Sequence, residues 1–122
     1  GALLTCTTTG LSARERAGYL APYGSYADRV AIHRFVKDIP LGPEDPSWAI
    51  VDEVSRNLDR LKDLPVLIGW GRQDFVFDDA FLAEWKRRLP DARYVEFPHA
   101  GHWVHEDAGD ALLDEIETFL GE

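Results

Sequence analysis

Two short apolar runs separated by a helical stretch constrain the fold of this chain more than any other feature. Residues 65–70 (PVLIGW) and 92–97 (ARYVEF) are short, largely apolar and bounded by Pro or Gly, so each predicts a β-strand, and the first is apolar enough to be buried on both faces. Between them, residues 78–89 have helical periodicity, with Asp78 as the N-cap and Pro90 as the stop. Strands that alternate with helices predict an α/β fold with a parallel sheet and right-handed crossovers.

The remainder of the chain is predicted to be mainly helical. Periodicity and capping residues indicate further helices at about residues 12–20, 26–37, 48–61 and from 107 onward. Three prolines interrupt residues 38–47, which makes this loop the clearest boundary in the chain. We therefore expect two segments, residues 1–47 and residues 48–122.

Two strands are too few to make a sheet that covers itself. One alternative is that residues 1–11, which are rich in β-branched side chains, add a third strand. The other is that most of the sheet lies in polypeptide outside this chain. The sequence contains no Met, even at residue 1, so we expect residue 1 to be an internal cut.

Charge and cysteine usage exclude several classes of partner. The chain has 22 acidic and 13 basic residues and a formal charge of −9, which disfavours nucleic acid and anionic membranes as partners. Cys6 is the single cysteine, so there is no internal disulfide and no thiolate cage for a metal. This fits a reducing compartment, and we expect the cytoplasm. No apolar run approaches the length of a membrane span.

Each predicted strand is followed by a loop that carries a side chain capable of acid–base chemistry. Asp74 follows the first strand in the sequence GRQD, and His102 follows the second in PHAGH. The carboxyl ends of parallel strands share one edge of a sheet, where α/β folds bind their ligands. Asp74 is either the acid that orients a catalytic histidine or a carboxylate in a turn, and His102 is either its partner or a structural loop residue.

Aromatic side chains flank both loops, namely Trp70, Phe75, Phe77 and Trp103. Phe75 and Trp103 are the two candidates for an apolar substrate pocket, and packing in a core beneath the loops is the alternative for both. The chain lacks a nucleophile elbow such as Gly-x-Ser-x-Gly. A nucleophile for this pair is therefore expected upstream of the chain.

Three histidines, His99, His102 and His105, are spaced by three residues and raise the question of a zinc site. A helix would bring them together, but Pro98 and Gly101 disfavour a helix here, and no thiolate is available. We expect no metal and no cofactor.

Several stretches resemble a known family. Residues 66–74 (VLIGWGRQD), 90–93 (PDAR) and 99–107 (HAGHWVHED) closely resemble the carboxyl end of α/β-hydrolases of the haloalkane-dehalogenase-like branch. Residues 15–23 (ERAGYLAPY) and 34–40 (RFVKDIP) are similar to the late cap segment of that branch. Within the branch, residues 18–23 and 70–75 look most like the β-lactone decarboxylases of long-chain olefin biosynthesis.

This resemblance implies a C-terminal part of an α/β-hydrolase fold, with the last parallel strands and their flanking helices. Residues 1–47 would be cap helices and residues 48–122 would belong to the core. Asp74 would be the triad acid and His102 the general base, acting with an upstream nucleophile, typically an aspartate in that branch. The substrate would be a small or lipidic apolar molecule, and the partner would be the missing N-terminal half.

A second hypothesis is that the chain is a non-catalytic structural unit. It would fold by self-association with a second copy or by docking onto the missing half through an exposed sheet edge.

Overall fold

The computed structural model describes residues 1–121 and contains two compact units. The first unit combines residues 1–12 with the chain from residue 60 onward, and the second unit consists of residues 13–59. These boundaries differ from the predicted one after residue 47, because residues 1–12 pack with the C-terminal part of the chain. The assignment of residues 1–47 to a cap and 48–122 to a core stays a prediction.

Helices and strands follow the predicted order over most of the chain. In chain order they are α1 (Ala2–Thr5), α2 (Ala13–Leu20), α3 (Tyr26–Lys37), α4 (Trp48–Arg56), β1 (Leu67–Gly71), α5 (Asp79–Arg88), β2 (Arg93–Phe97), α6 (Val104–Asp107) and α7 (Gly109–Gly121), with single 3₁₀ turns at Ala21–Tyr23 and Leu58–Leu61.

The two predicted strands form a parallel sheet in the first unit. β1 pairs with β2 in a register that runs from Leu67 opposite Arg93 to Gly71 opposite Phe97. Helix α5 makes the crossover between them, and Asp78 caps it by accepting a hydrogen bond from the N–H of Ala80 at 2.9 Å. Because the strands are parallel, the loops after β1 and β2 leave the same edge of the sheet.

The alternative that residues 1–11 add a third strand is wrong. Residues 2–5 form helix α1, and the segment after it runs along the loop that follows β2. The backbone N–H groups of Thr8 and Thr9 donate to the carboxylate of Asp107. These donors are therefore bound by a side chain and are not available to a β-ladder.

The strands are less buried than predicted. Only the last residue of β1 is buried, and the residues of β2 are half-buried or exposed. The buried apolar residues in the described part of the chain are Cys6, Leu11, Leu82, Leu89 and Ala100. A two-stranded sheet offers too little surface to enclose both of its own faces, so the core of this unit is small.

In the second unit, the helix predicted at residues 26–37 is confirmed as α3. Ser25 accepts a hydrogen bond from the N–H of Asp28 at 3.3 Å, and the Asp28 carboxylate accepts one from the N–H of Ser25 at 2.9 Å, which makes a capping box. The helix predicted at residues 48–61 ends earlier, at Arg56, and a 3₁₀ turn follows. Among the described helices, none has the length and apolar character needed to cross a membrane.

Candidate active site

The two candidate side chains meet at the edge of the sheet. Asp74 lies three residues after the end of β1, and His102 lies in the loop after β2. The Nδ1 atom of His102 is 2.9 Å from the Oδ2 atom of Asp74. The side chain of Asp74 is 9% exposed and that of His102 is 25% exposed. The structure thus brings the predicted pair together, while the catalytic role of each residue stays a prediction.

Backbone hydrogen bonds hold the two loops against each other. We name residues 72–78 the acid loop and residues 98–103 the histidine loop. In the acid loop, the N–H of Gln73 donates to the carbonyl of Ala100 at 2.9 Å, and the Gln73 side chain donates to the carbonyl of Pro98 at 3.2 Å. The N–H of Arg72 donates to the carbonyl of Phe97 at 3.0 Å. The separation of Asp74 and His102 is therefore set by the backbone as well as by their own contact.

The environment of Asp74 favours its ionised form. Its Oδ1 atom accepts hydrogen bonds from the N–H groups of Val76 at 2.7 Å and Phe77 at 3.0 Å. Burial opposes ionisation, but the hydrogen bonds from His102 and from these two N–H groups outweigh it and lower the pKa of Asp74 below its usual value.

An ionised Asp74 determines how the imidazole is used. A carboxylate can only accept, so the Nδ1 atom of His102 carries the proton and donates it to Asp74. In the neutral ring, Nε2 then has a free lone pair and can take a proton from a substrate, a nucleophile or water. This is the arrangement that an orienting acid produces in catalytic triads.

The rings of Phe75 and Phe77 lie near His102, and the role of Phe75 and Trp103 in a substrate pocket stays a prediction. The ring centroid of Phe75 is 6.4 Å from that of His102, and Phe75 is 65% exposed. Phe77 is closer, at 5.5 Å, and packs edge-on against Phe81 at 5.1 Å. The ring of Trp103 lies beside His105, with 6.1 Å between centroids. Phe77 thus joins the candidate pocket, and its position only three residues after Asp74 was the available sequence signal.

An open cavity of about 300 Å³ adjoins the acid loop. Its lining includes Trp70, Asp74 and Phe77, but neither Phe75 nor Trp103. Arg72 also lines it, and its guanidinium pairs with Asp79 at 3.0 Å and with Glu96 at 3.2 Å. Because Arg72 pairs with Asp79 and Glu96, the Asp74 carboxylate interacts with His102 and with the N–H groups of its own loop.

Sequence reasoning missed the role of Asp107. It was assigned only to the start of a helix, but its carboxylate accepts hydrogen bonds from Thr8, Thr9 and Gly101 at 2.8–3.0 Å. Burial raises the pKa of this carboxyl, but the N–H groups of Thr9, Gly101 and Thr8 and the Thr9 hydroxyl lower it more, to about 2. The Glu106–Asp107 pair after Gly-His-Trp was a sequence signal that Asp107 has a role of its own. Nothing in the sequence indicates that Thr8 and Thr9 are its partners.

The histidine run does not gather into one site. His102 binds Asp74, whereas the Nε2 atom of His105 lies 3.8 Å from Glu106. Within residues 1–121, no group of three or more His, Cys, Asp or Glu side chains has an arrangement that would hold a metal ion.

Comparison with known proteins decides the family. A family model described as the alpha/beta hydrolase fold matches residues 8–109. The chain belongs to the α/β-hydrolase fold family. The predicted fold class and the predicted resemblance of this α/β-hydrolase chain are therefore confirmed.

Its relatives include two proteins with the same name. This α/β-hydrolase chain is 42% identical over 107 residues to the cis-3-alkyl-4-alkyloxetan-2-one decarboxylase of Shewanella oneidensis, which covers 88% of the chain and 34% of that protein. It is 38% identical over 110 residues to the protein of that name from Xanthomonas campestris, covering 90% and 37%. The chain thus spans about a third of the length of these curated relatives.

A solved structure is also similar to this α/β-hydrolase chain. It is that of E-2-(acetamidomethylene)succinate hydrolase, with 34% identity, a TM-score of 0.45, and coverage of 48% of this chain and 22% of that one.

Proposed function

We propose that this chain supplies the acid and the histidine of a nucleophile–His–Asp triad in an α/β-hydrolase-fold enzyme that acts on a small or lipidic apolar substrate. The observation that carries the proposal is the 2.9 Å contact between His102 Nδ1 and Asp74 Oδ2, at the carboxyl edge of two parallel strands. Asp74 is ionised, holds the imidazole in one tautomer and stabilises the imidazolium that forms when His102 takes a proton.

The nucleophile of the triad is expected in the part of the family fold that this chain does not span. The four serines of the chain are Ser12, Ser25, Ser47 and Ser55. In the structure, they lie at helix starts or inside α4 and not on a turn from a strand into a helix. In the intact enzyme, a nucleophile would attack the substrate, and His102 would activate water or accept a proton.

For the substrate class, we propose a β-lactone that carries alkyl groups. Both curated relatives are named as decarboxylases of a cis-3-alkyl-4-alkyloxetan-2-one, a four-membered lactone. Loss of carbon dioxide from such a ring breaks the ring C–O bond and a C–C bond and leaves an alkene. The apolar rings of Phe75 and Phe77 beside His102 suit alkyl groups. A dehalogenase-like hydrolysis is the other reaction that the resemblance implies.

The test uses the full-length protein that carries this chain, with a cis-3,4-dialkyl oxetan-2-one as substrate and release of the alkene as the measurement. Replacing His102 by Ala removes the proton acceptor, so we expect kcat to fall by about 10²–10⁴-fold. His33→Ala is the matched control, because His33 is an exposed histidine of α3 in the other unit. Wild-type turnover in His102→Ala would refute the triad.

A structural role is the second candidate, and the exposed apolar surface favours it. In the second unit, Phe35 is 76% exposed, and a cavity of about 330 Å³ on α3 is lined by Tyr23, Ala31, Ile32 and Val36 with Phe35. Size-exclusion chromatography of the chain at several concentrations tests this role. A folded monomer that stays monomeric at all concentrations would contradict self-association.

A further inference from the structure

The Asp107 carboxylate gathers hydrogen bonds from two remote parts of the first unit. Its Oδ1 atom accepts from the N–H of Thr8 at 2.9 Å, from the N–H of Thr9 at 3.0 Å and from the Thr9 hydroxyl at 2.8 Å. Its Oδ2 atom accepts from the N–H of Gly101 at 2.8 Å and again from Thr8 at 3.0 Å. Both oxygens are therefore bound by donors, and one of these donors is the N–H of Gly101, the residue directly before His102.

Hydrogen bonds also hold the backbone of the residues on either side of His102. Asp107 binds the N–H of Gly101, and the carbonyl of Cys6 accepts a hydrogen bond from the N–H of Trp103 at 2.8 Å. Cys6 belongs to the same N-terminal segment that Asp107 binds through Thr8. The backbone at His102 is thus fixed from the residue before it and from the residue after it.

We propose that Asp107 is a positioning residue for His102, an inference that rests on the proposed function. Asp74 holds one ring nitrogen of the imidazole, but the backbone from which the ring extends is held by Asp107 and by the segment it binds. A shift of about 1 Å at a catalytic group can lower a rate by about 100-fold. Asp107 therefore affects the reaction by fixing the position of His102, and it does not contact the substrate.

A carboxylate is required at residue 107, since each oxygen faces N–H groups. An asparagine would turn an NH₂ group toward at least one of these donors, whichever way the amide is placed. The fit around the loop is also close. A Cβ atom on Gly101 would lie 3.1 Å from the carbonyl oxygen of Cys6 and 3.4 Å from Asp107 Oδ2. The low pKa of Asp107, about 2, agrees with a carboxylate held by donors.

The experiment compares Asp107→Asn with Glu117→Gln in the full-length enzyme, well below the melting temperature of each variant. Glu117 is an exposed carboxylate of α7, the helix that follows Asp107, so its replacement makes the same change of charge. We expect kcat to fall by about 10- to 100-fold in Asp107→Asn, with KM little changed, and both constants to stay near wild type in Glu117→Gln. Alkene release from the dialkyl oxetanone is the readout.

A spectroscopic measurement distinguishes a positioning role of Asp107 from a general effect on stability. It also does not depend on which reaction the enzyme catalyses. The proton on His102 Nδ1, hydrogen-bonded to Asp74, gives a low-field proton resonance that His102→Ala removes. We expect this resonance to broaden or vanish in Asp107→Asn while the far-ultraviolet circular dichroism is retained. An unchanged resonance, or a lost resonance with unchanged kcat, would overturn the positioning role.

A milder pair of variants covers the case in which Asp107→Asn does not fold. Thr9→Val removes one donor to Asp107, and Thr9→Ser keeps the hydroxyl. We expect a smaller loss of kcat and partial broadening in Thr9→Val only. Wild-type behaviour in both would contradict the proposal. If His102→Ala kept full turnover, the proposed function would fail, and the resonance would still report whether Asp107 positions the imidazole.

Discussion

Gly71 and Gly101 lie so close that a Cβ atom on Gly71 would be 2.2 Å from the carbonyl oxygen of Gly101. Gly71 ends β1, and Gly101 directly precedes His102. This contact between backbones is what allows the acid loop and the histidine loop to exchange hydrogen bonds. The distance between Asp74 and His102 therefore depends on Gly71, which has no side chain and takes no part in the proposed chemistry.

Replacing Gly71 by Ala should destabilise the fold and separate the two loops. The obstacle is backbone that cannot rotate away, so we expect a loss of about 1–3 kcal/mol in the free energy of unfolding. Gly18→Ala is the control, because Gly18 lies inside α2 and a Cβ atom there meets nothing within 4 Å. That change should stabilise by about 0.5–1 kcal/mol. Urea unfolding measures the stability of both variants. Equal free energies of unfolding would contradict the close approach of Gly71 to Gly101.

Asp74→Asn should lower kcat by about 10⁴-fold, because an amide at this position can hold the imidazole in the wrong tautomer. The fold should be retained, since the amide is the same size as the carboxylate. Asp91→Asn serves as the control, being an exposed carboxylate just after α5. Steady-state kinetics with the dialkyl oxetanone measure the effect. If Asp74→Asn kept more than about a tenth of wild-type kcat, the orienting role would be refuted.

Asp107 should make the free energy of unfolding of the first unit depend on pH. Its pKa is about 2 in the folded chain and 3.8 for the ordinary carboxyl, so the folded state prefers the ionised form. The stabilisation is complete above pH 4 and is lost as the pH falls toward 2. It amounts to roughly 2 kcal/mol. Urea unfolding from pH 7 to pH 2 should show this loss in the wild type.

The corresponding control removes the titrating group. Asp107→Asn should be less stable than the wild type at pH 7, and the difference should shrink between pH 4 and pH 2. Glu117→Gln should follow the wild-type curve. A constant difference between wild type and Asp107→Asn across this range would show that ionisation of Asp107 does not contribute.

Phe77→Ala should weaken binding of the apolar substrate. The ring is 5.5 Å from that of His102 and lines the cavity beside Asp74. Loss of its apolar surface should raise KM by about tenfold for substrates with long alkyl groups, with a smaller effect for short ones. Phe77→Leu should preserve most of the affinity. Equal KM changes for long and short alkyl groups would argue against a place for Phe77 in the pocket.

The same assay distinguishes Phe75 and Trp103, the two residues first predicted to line the pocket. Phe75 is 6.4 Å from His102 but 65% exposed, so we expect Phe75→Ala to raise KM less than Phe77→Ala does. Trp103 packs its ring beside His105. Its role in the pocket stays a prediction that Trp103→Leu tests in the same way.

Local structure was predictable from the sequence because local signals cause it. Asp78 caps the start of α5 as the sequence predicted, and prolines mark the loop after α3. Two short apolar runs predicted the parallel strands, and the places of Asp74 and His102 in the loops after these strands predicted that they would meet. Burial was predicted less well, since it depends on which surfaces the chain can cover and a two-stranded sheet covers few.

The sequence by itself determined the order of helices and strands from α2 to β2, the family and the acid–histidine pair. Only the tertiary structure decided that residues 6–9 run along the histidine loop, that Gly71 abuts Gly101 and that Asp107 binds Thr9 across 98 residues of chain. The physical reason is the nature of these contacts. Hydrogen bonds between a side chain and a distant backbone leave no periodicity and no spacing in the sequence, whereas capping and apolar alternation do.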